Sequence, residues 1–278
     1  MKMVLALTVA LVVLLQCRGG DTARVAGEDR AVLERYLEHA RARRLDTLPV
    51  HRRVAETALF FLDTPYRAGT LDDEGPERLV VNLREMDCVT FVDNVLALAM
   101  LPPGRSLDRF LDNLRRVRYR DGKIVDFASR LHYSTDWLFE MQRQGILREV
   151  EMPGSLPLAN KVHYLTRHHP ALANDPALRA RVAAHEERIN ARKKQYLPKE
   201  RVEARAGQLR EGDVVLITTG REGLDTSHLG IVVERDGMAC LLHASSDARA
   251  VVISPVSLRD YLRPVGRHTG IIAARMID

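Results

Sequence analysis

After Gly207 the sequence changes character. Four short apolar runs, GDVVLITT (212–219), HLGIVVE (228–234), ACLLHAS (239–245) and AVVIS (250–254), follow one another with turn residues between them. Runs of this length, rich in β-branched residues and punctuated by Gly, Asp and Ser, pair as neighbouring antiparallel strands. They predict a small antiparallel sheet over the C-terminal third. The upstream sequence has a different period: apolar residues recur at Val32, Leu33, Tyr36, Leu37 and Ala40, and again at Val54, Ala58, Leu59 and Leu62. Both sets fit one face of a helix. Residues 63–77 carry Pro, Gly and acidic residues and read as loop, and VVNL (80–83) as a short extended piece. An apolar helix then starts near Cys88 and stops at PPG (102–104). Residues 105–204 read as helical but irregular, broken by Pro153, Pro157, Pro170, Pro176 and Pro198. Helices first and sheet last give an α+β domain over 21–278, with 105–204 as an inserted, mainly helical lobe.

The chain has 278 residues, 46% hydrophobic and 28% charged, as in an ordinary globular protein. Its first residues, MKMVLALTVALVVLLQC, join a short basic start to an apolar run from Met3 to Leu15. That run falls short of the roughly 20 residues a membrane-spanning helix needs, and it reads as a secretory signal over 1–20. Cys17 stands where a lipoprotein cysteine would, after the rather large Gln16. Lipid anchoring through Cys17 and simple cleavage stay open. The net charge of +5 suits acidic polymers of the cell envelope. The basic stretches at 115–123 and 179–194 mix in acidic residues and few aromatics, so they read as solvated helix faces and not as a nucleic-acid surface.

With Cys17 lipidated or removed, two cysteines remain, too few for a disulfide framework. Cys88 follows Asp87, a good N-cap, and precedes a buried stripe of Val89, Val92, Leu96 and Ala99, so it falls in the first helical turn. A thiol there meets unpaired N–H groups and the positive end of the helix dipole, which favours a reactive thiolate. Burial as a small core residue is the competing reading. On the predicted hairpin, His228 opens one strand and His243 ends the next. A loop of Asp236-Gly237, or of Glu234 to Gly237, puts both imidazoles on one face, diagonal or directly opposed. Cys240 alternates to the other face and belongs to the core. A thiol at a helix start, an imidazole base and a second polar group orienting it are the parts of thiol acyl transfer. His163, His168 and His169 show no ligand spacing, so no metal site is expected.

These residues resemble the NlpC-type papain-like cysteine peptidases of bacterial cell walls, and among them the N-acetylmuramoyl-L-alanine amidase-like branch. The similarity runs through PYRAGTL (65–71), LVVNLREMDCVTFVDNVLALA (79–99), RLHYSTDW (130–137), GDVVLITT, GLDTSHLGIVV (223–233) and LLHASS (241–246). The resemblance implies a papain-like core with Cys88 as nucleophile, His228 as base and His243 orienting it. It places Tyr66 near the oxyanion, although packing of that ring on the Cys88 helix is equally compatible with the sequence. His132, Trp137 and Ser245 are candidates for substrate contact, with Trp137 docking the inserted lobe as the other reading. The implied substrate is peptidoglycan or a muropeptide, cut at an amide of the stem peptide without a cofactor. The N-acetylmuramoyl-L-alanine bond is the first expectation and the γ-D-glutamyl-diamino acid bond the second. A non-catalytic wall-associated lipoprotein is a third reading. The implied location is exported, periplasmic or in the cell envelope.

Overall fold

The computed structural model describes residues 25–72, 75–101 and 106–277. The expected signal over 1–20, with Cys17, and the PPG stop at 102–104 lie outside the described residues. The N-terminal helices are α1 (Gly27–Ala42), α2 (Val50–Leu59), α3 (Cys88–Ala99), α4 (Leu107–Arg118) and α5 (Ser134–Arg143). Next come β1 (Leu147–Glu149), β2 (Leu156–Pro157), α6 (Tyr164–His168), α7 (Pro176–Ala191), β3 (Gln195–Pro198) and α8 (Val202–Arg205). The chain ends in β4 (Val214–Thr219), β5 (Thr226–Arg235), β6 (Met238–Ser245), β7 (Ala250–Ser257), α9 (Leu258–Leu262) and β8 (His268–Met276). The fold is α+β, as the residue pattern predicts.

The strands form one sheet in the order β2-β3-β8-β4-β5-β6-β7, with β1 also on β8. Strand alternation divides its side chains between two cores. Val214, Leu216, Leu229, Ile231, Val233, Leu242, Ile272 and Ala274 face α1 to α5, in the larger core. Val215, Ile217, Val232, Leu241, Ile271 and Ala273 face the smaller one, closed by Val202, Leu258 and Leu262. Every residue of α3 from Thr90 to Ala99 is buried, because α2, α4 and the sheet enclose it. Its buried polar residues are partnered, Asp93 by Arg118 and Asn94 by the Asn82 carbonyl, as burial of such groups requires.

Strand β8 has no counterpart in the expected sheet, yet it lies at the centre, pairing with β4, β3 and β1. Residues 105–204 therefore do more than pack on a finished core. They send β1 and β3 into its sheet, and Phe110, Leu114, Val117, Trp137, Leu138 and Met141 into the larger cluster. The VVNL segment is not a strand. Its backbone is taken by side chains: Arg118 donates to the Val80 carbonyl at 2.6 Å, Asn94 to that of Asn82 at 2.9 Å, and Leu83 N–H to Asp29 at 2.9 Å. Three separate elements thus fix the approach to Cys88.

Candidate active site

Asp87 caps α3 and accepts hydrogen bonds from Val89 N–H (3.1 Å) and Thr90 N–H (2.9 Å). Thr90 Oγ1 closes the reciprocal bond by accepting from Asp87 N–H at 2.9 Å. Such a box satisfies first-turn donors that would otherwise lack partners and fixes the start of the helix. Cys88 follows the cap, half-buried against the larger core.

Opposite it, the hairpin turns on Asp236-Gly237, whose φ angles of 53° and 76° suit a two-residue turn of the primed type. Pairs run from Arg235↔Met238 to Ile231↔Leu242 and stop, although β5 reaches back to Thr226 and β6 on to Ser245. The strands part at that point. The freed Leu229 N–H is directed to the Cys88 thiol, together with the N–H groups of Cys88 and Val89. His228 and His243 stand on the two sides of the parting, one diagonal apart, and His228 Nε2 lies 2.7 Å from His243 Nδ1 with the rings perpendicular. The two-residue turn thereby selects the diagonal register of the two that the sequence allowed.

Gly230, on β5, packs directly against Leu241 of β6. A Cβ there would stand 2.7 Å from Leu241 Cδ1 and 2.9 Å from the Leu242 carbonyl oxygen. Gly230→Ala is therefore expected to destabilise the fold by about 1–3 kcal/mol, as overpacking does. It should also displace His243. Urea denaturation checks the first effect and the histidine ring resonances the second.

The electrostatics differ from the expectation of a ready thiolate. Burial, then the neighbouring Asp87 carboxylate, pushes the Cys88 thiol up to about 12, against the three N–H groups that favour the anion. Burial, then His243 and His268, lowers His228 to about 3. His243 is lowered to about 4, again by burial, with Asp247 opposing. Burial thus disfavours the charged form of the thiol and of both imidazoles, and at Cys88 desolvation outweighs the helix dipole.

Of the other expected contacts, Tyr66 is near the thiol: burial, then Cys88 and Asp87, raises its phenol pKa. Its place is set by backbone bonds from Tyr66 N–H to the Arg249 carbonyl and from Met86 N–H to the Pro65 carbonyl. Trp137 is 4% exposed within the larger core, so it docks α5 and does not line a groove. His132 is held among helical elements, with Nε2 at 2.7 Å from the Phe127 carbonyl and its ring on Phe127. Ser245 Oγ accepts from Ala248 N–H at 3.1 Å and closes the β6–β7 turn. The sequence reading missed two rings. Tyr261 on α9 contacts both imidazoles of the pair, and His268 at the start of β8 stacks on Tyr261. No motif surrounds either residue: α9 packed on β6 and β7 brings in Tyr261, and the closure of β8 onto β4 brings in His268.

The chain belongs to the AmiA-like, N-acetylmuramoyl-L-alanine amidase-like family, whose model matches residues 56–270. Among solved structures it is similar to an N-acetylmuramoyl-L-alanine amidase from Bacteroides uniformis, with 37% identity, TM-score 0.79, and coverage of 82% of this chain and 99% of that one. A Bacteroides fragilis structure described as a xylanase is 38% identical, with TM-score 0.76 over 80% of this chain and all (100%) of that one. A Legionella pneumophila protein at 23% identity shares the fold, with TM-score 0.68 over 90% of this chain and 95% of that one. No curated protein matches.

Proposed function

We propose that the protein is a cysteine-dependent hydrolase of peptidoglycan or its soluble muropeptides, cutting the amide between N-acetylmuramic acid and L-alanine. The observation that carries this reading is the 2.7 Å contact between His228 and His243, beside a helix-start thiol in a chain of the amidase-like family. With Nε2 of His228 donating to His243 Nδ1, the His228 Nδ1 lone pair is left to take the thiol proton. Cys88 Sγ then attacks the amide carbonyl. The Cys88 N–H and the Tyr66 hydroxyl would hold the oxyanion, and one such donor is typically worth about 10²–10³ in rate. His228 passes its proton to the leaving amine, and afterwards activates the water that releases the acyl group.

A glycosidase reading of the same site finds less support. Glycoside hydrolysis needs two carboxyl groups flanking the bond. The phenols of Tyr66 and Tyr261 feel the Cys88 thiol, the Asp87 carboxylate is engaged in capping α3, and the other carboxylate near the site, Asp247, acts on His243 and Tyr261. The net charge of +5 and the apolar N-terminus support an exported envelope protein, held by lipid on Cys17 or free.

The test is a digest of defined muropeptides read by mass spectrometry. Release of intact stem peptide with an L-alanine N-terminus is the expected result. Fragments that begin with the diamino acid would replace the amidase reading by an endopeptidase one. An inert protein would favour a binding role.

A further inference from the structure

We propose that Tyr261 is a positioning residue for the His228–His243 pair, acting through the packing of its ring. This rests on the reading of His228 as the base.

Where β5 and β6 part, His243 loses its neighbour on the β5 side and keeps only Val252 on β7. A bond of 2.7 Å between two imidazoles weakens steeply when either ring turns, so both torsions need a wall. Tyr261 supplies it. Its ring meets His243 edge-on, at 5.1 Å and 71°, and lies nearly parallel to His228 at 6.3 Å and 27°. His268 also stacks on it, at 6.3 Å and 21°. His268 is 6% exposed, and its Nδ1 has no partner among the described residues, so that ring serves as a packing face.

The turn that carries Tyr261 is itself anchored. Leu258 and Leu262 are buried in the smaller core, and Ser257 Oγ accepts from Asp260 N–H at 3.2 Å. A ring fixed in this way holds His243 against His228 and offers a π-face beside His228 when it becomes an imidazolium, at the edge of cation–π range.

The experiment compares Tyr261→Phe with Tyr261→Leu in two readouts. The first is the ring-nitrogen and N–H proton resonances of histidine-labelled protein in the Cys88→Ala background, which need no turnover. The second is kcat and KM for muropeptide hydrolysis with Cys88 present. Tyr261→Phe should preserve the signal of the imidazole–imidazole bond and keep kcat within about twofold. Tyr261→Leu should lose that signal and lower kcat by about 100-fold at unchanged KM, the scale of a misplacement near 1 Å. If Tyr261→Leu does not fold, Tyr261→Met gives the same reading. A leucine variant that keeps both signal and kcat overturns the proposal, as does a phenylalanine variant as damaged as leucine. If the wild type hydrolyses nothing, the amidase reading fails, while the resonances still decide whether Tyr261 holds the pair.

Discussion

Cys88→Ala is expected to abolish release of stem peptide, by roughly 10⁴-fold or more, the scale seen when an acyl-transfer nucleophile is removed. Folding should be little affected, because the thiol is only half-buried and the Asp87–Thr90 cap does not use it. The wild-type thiol has its own signature. With its pKa pushed up to about 12, the reactive anion is scarce at neutral pH, and its share rises about tenfold per pH unit up to that value. Alkylation of Cys88 by iodoacetamide should therefore climb steadily between about pH 7 and 10. A preformed thiolate–imidazolium pair would instead give a rate already level from mildly acidic pH, and that plateau would sink the neutral-pair reading. Peptide mapping separates Cys88 from buried Cys240.

The largest expected loss of stability comes from α3, away from the thiol. Asp93 and Arg118 form an ion pair at 2.8 Å, both within the core at 1% and 3% exposure. Burial raises the Asp93 carboxyl pKa while Arg118 opposes it. Asp93→Ala leaves the guanidinium without its counter-charge and should lower the unfolding free energy by about 3–5 kcal/mol, read by urea denaturation. Replacing both partners, as Asp93→Leu with Arg118→Met, should recover much of that loss, since no unpaired charge then remains. A loss below about 1 kcal/mol for Asp93→Ala would mean that water reaches the pair. Arg118 also holds the Val80 carbonyl, so the single variant should loosen the segment leading to Cys88 and reduce activity too.

Local pattern made several parts of this molecule legible in sequence. The helical spacing around Val32 to Ala40, the Asp87 cap and the two-residue turn at Asp236-Gly237 are each set by neighbouring residues. The His228 and His243 pairing follows from that turn, because strand alternation carries it along the hairpin. Contacts made between distant segments stayed hidden. Strand β8 pairs with β4 far back in the chain and brings His268 in, while α9, packed on β6 and β7, brings Tyr261 to the imidazoles. The same holds for VVNL, read as a short extended piece, whose backbone partners Arg118, Asn94 and Asp29 come from three other places in the chain. The thiol shows a third kind of gap. Helix position argues for a low pKa, but enclosure by other elements decides the balance, and sequence does not display enclosure.

The turn at Asp236-Gly237 touches none of the reacting groups, yet it is their most distant determinant. A single residue inserted there would leave Cys88, His228 and His243 chemically unchanged while sending His243 to the face now occupied by Cys240. Length at this turn is therefore as restrictive as identity at the site. Homologues of this chain that keep all three side chains but differ by one residue between the strands need another third partner for His228. Aligning the turn is the quicker way to tell an intact site from one that only looks intact.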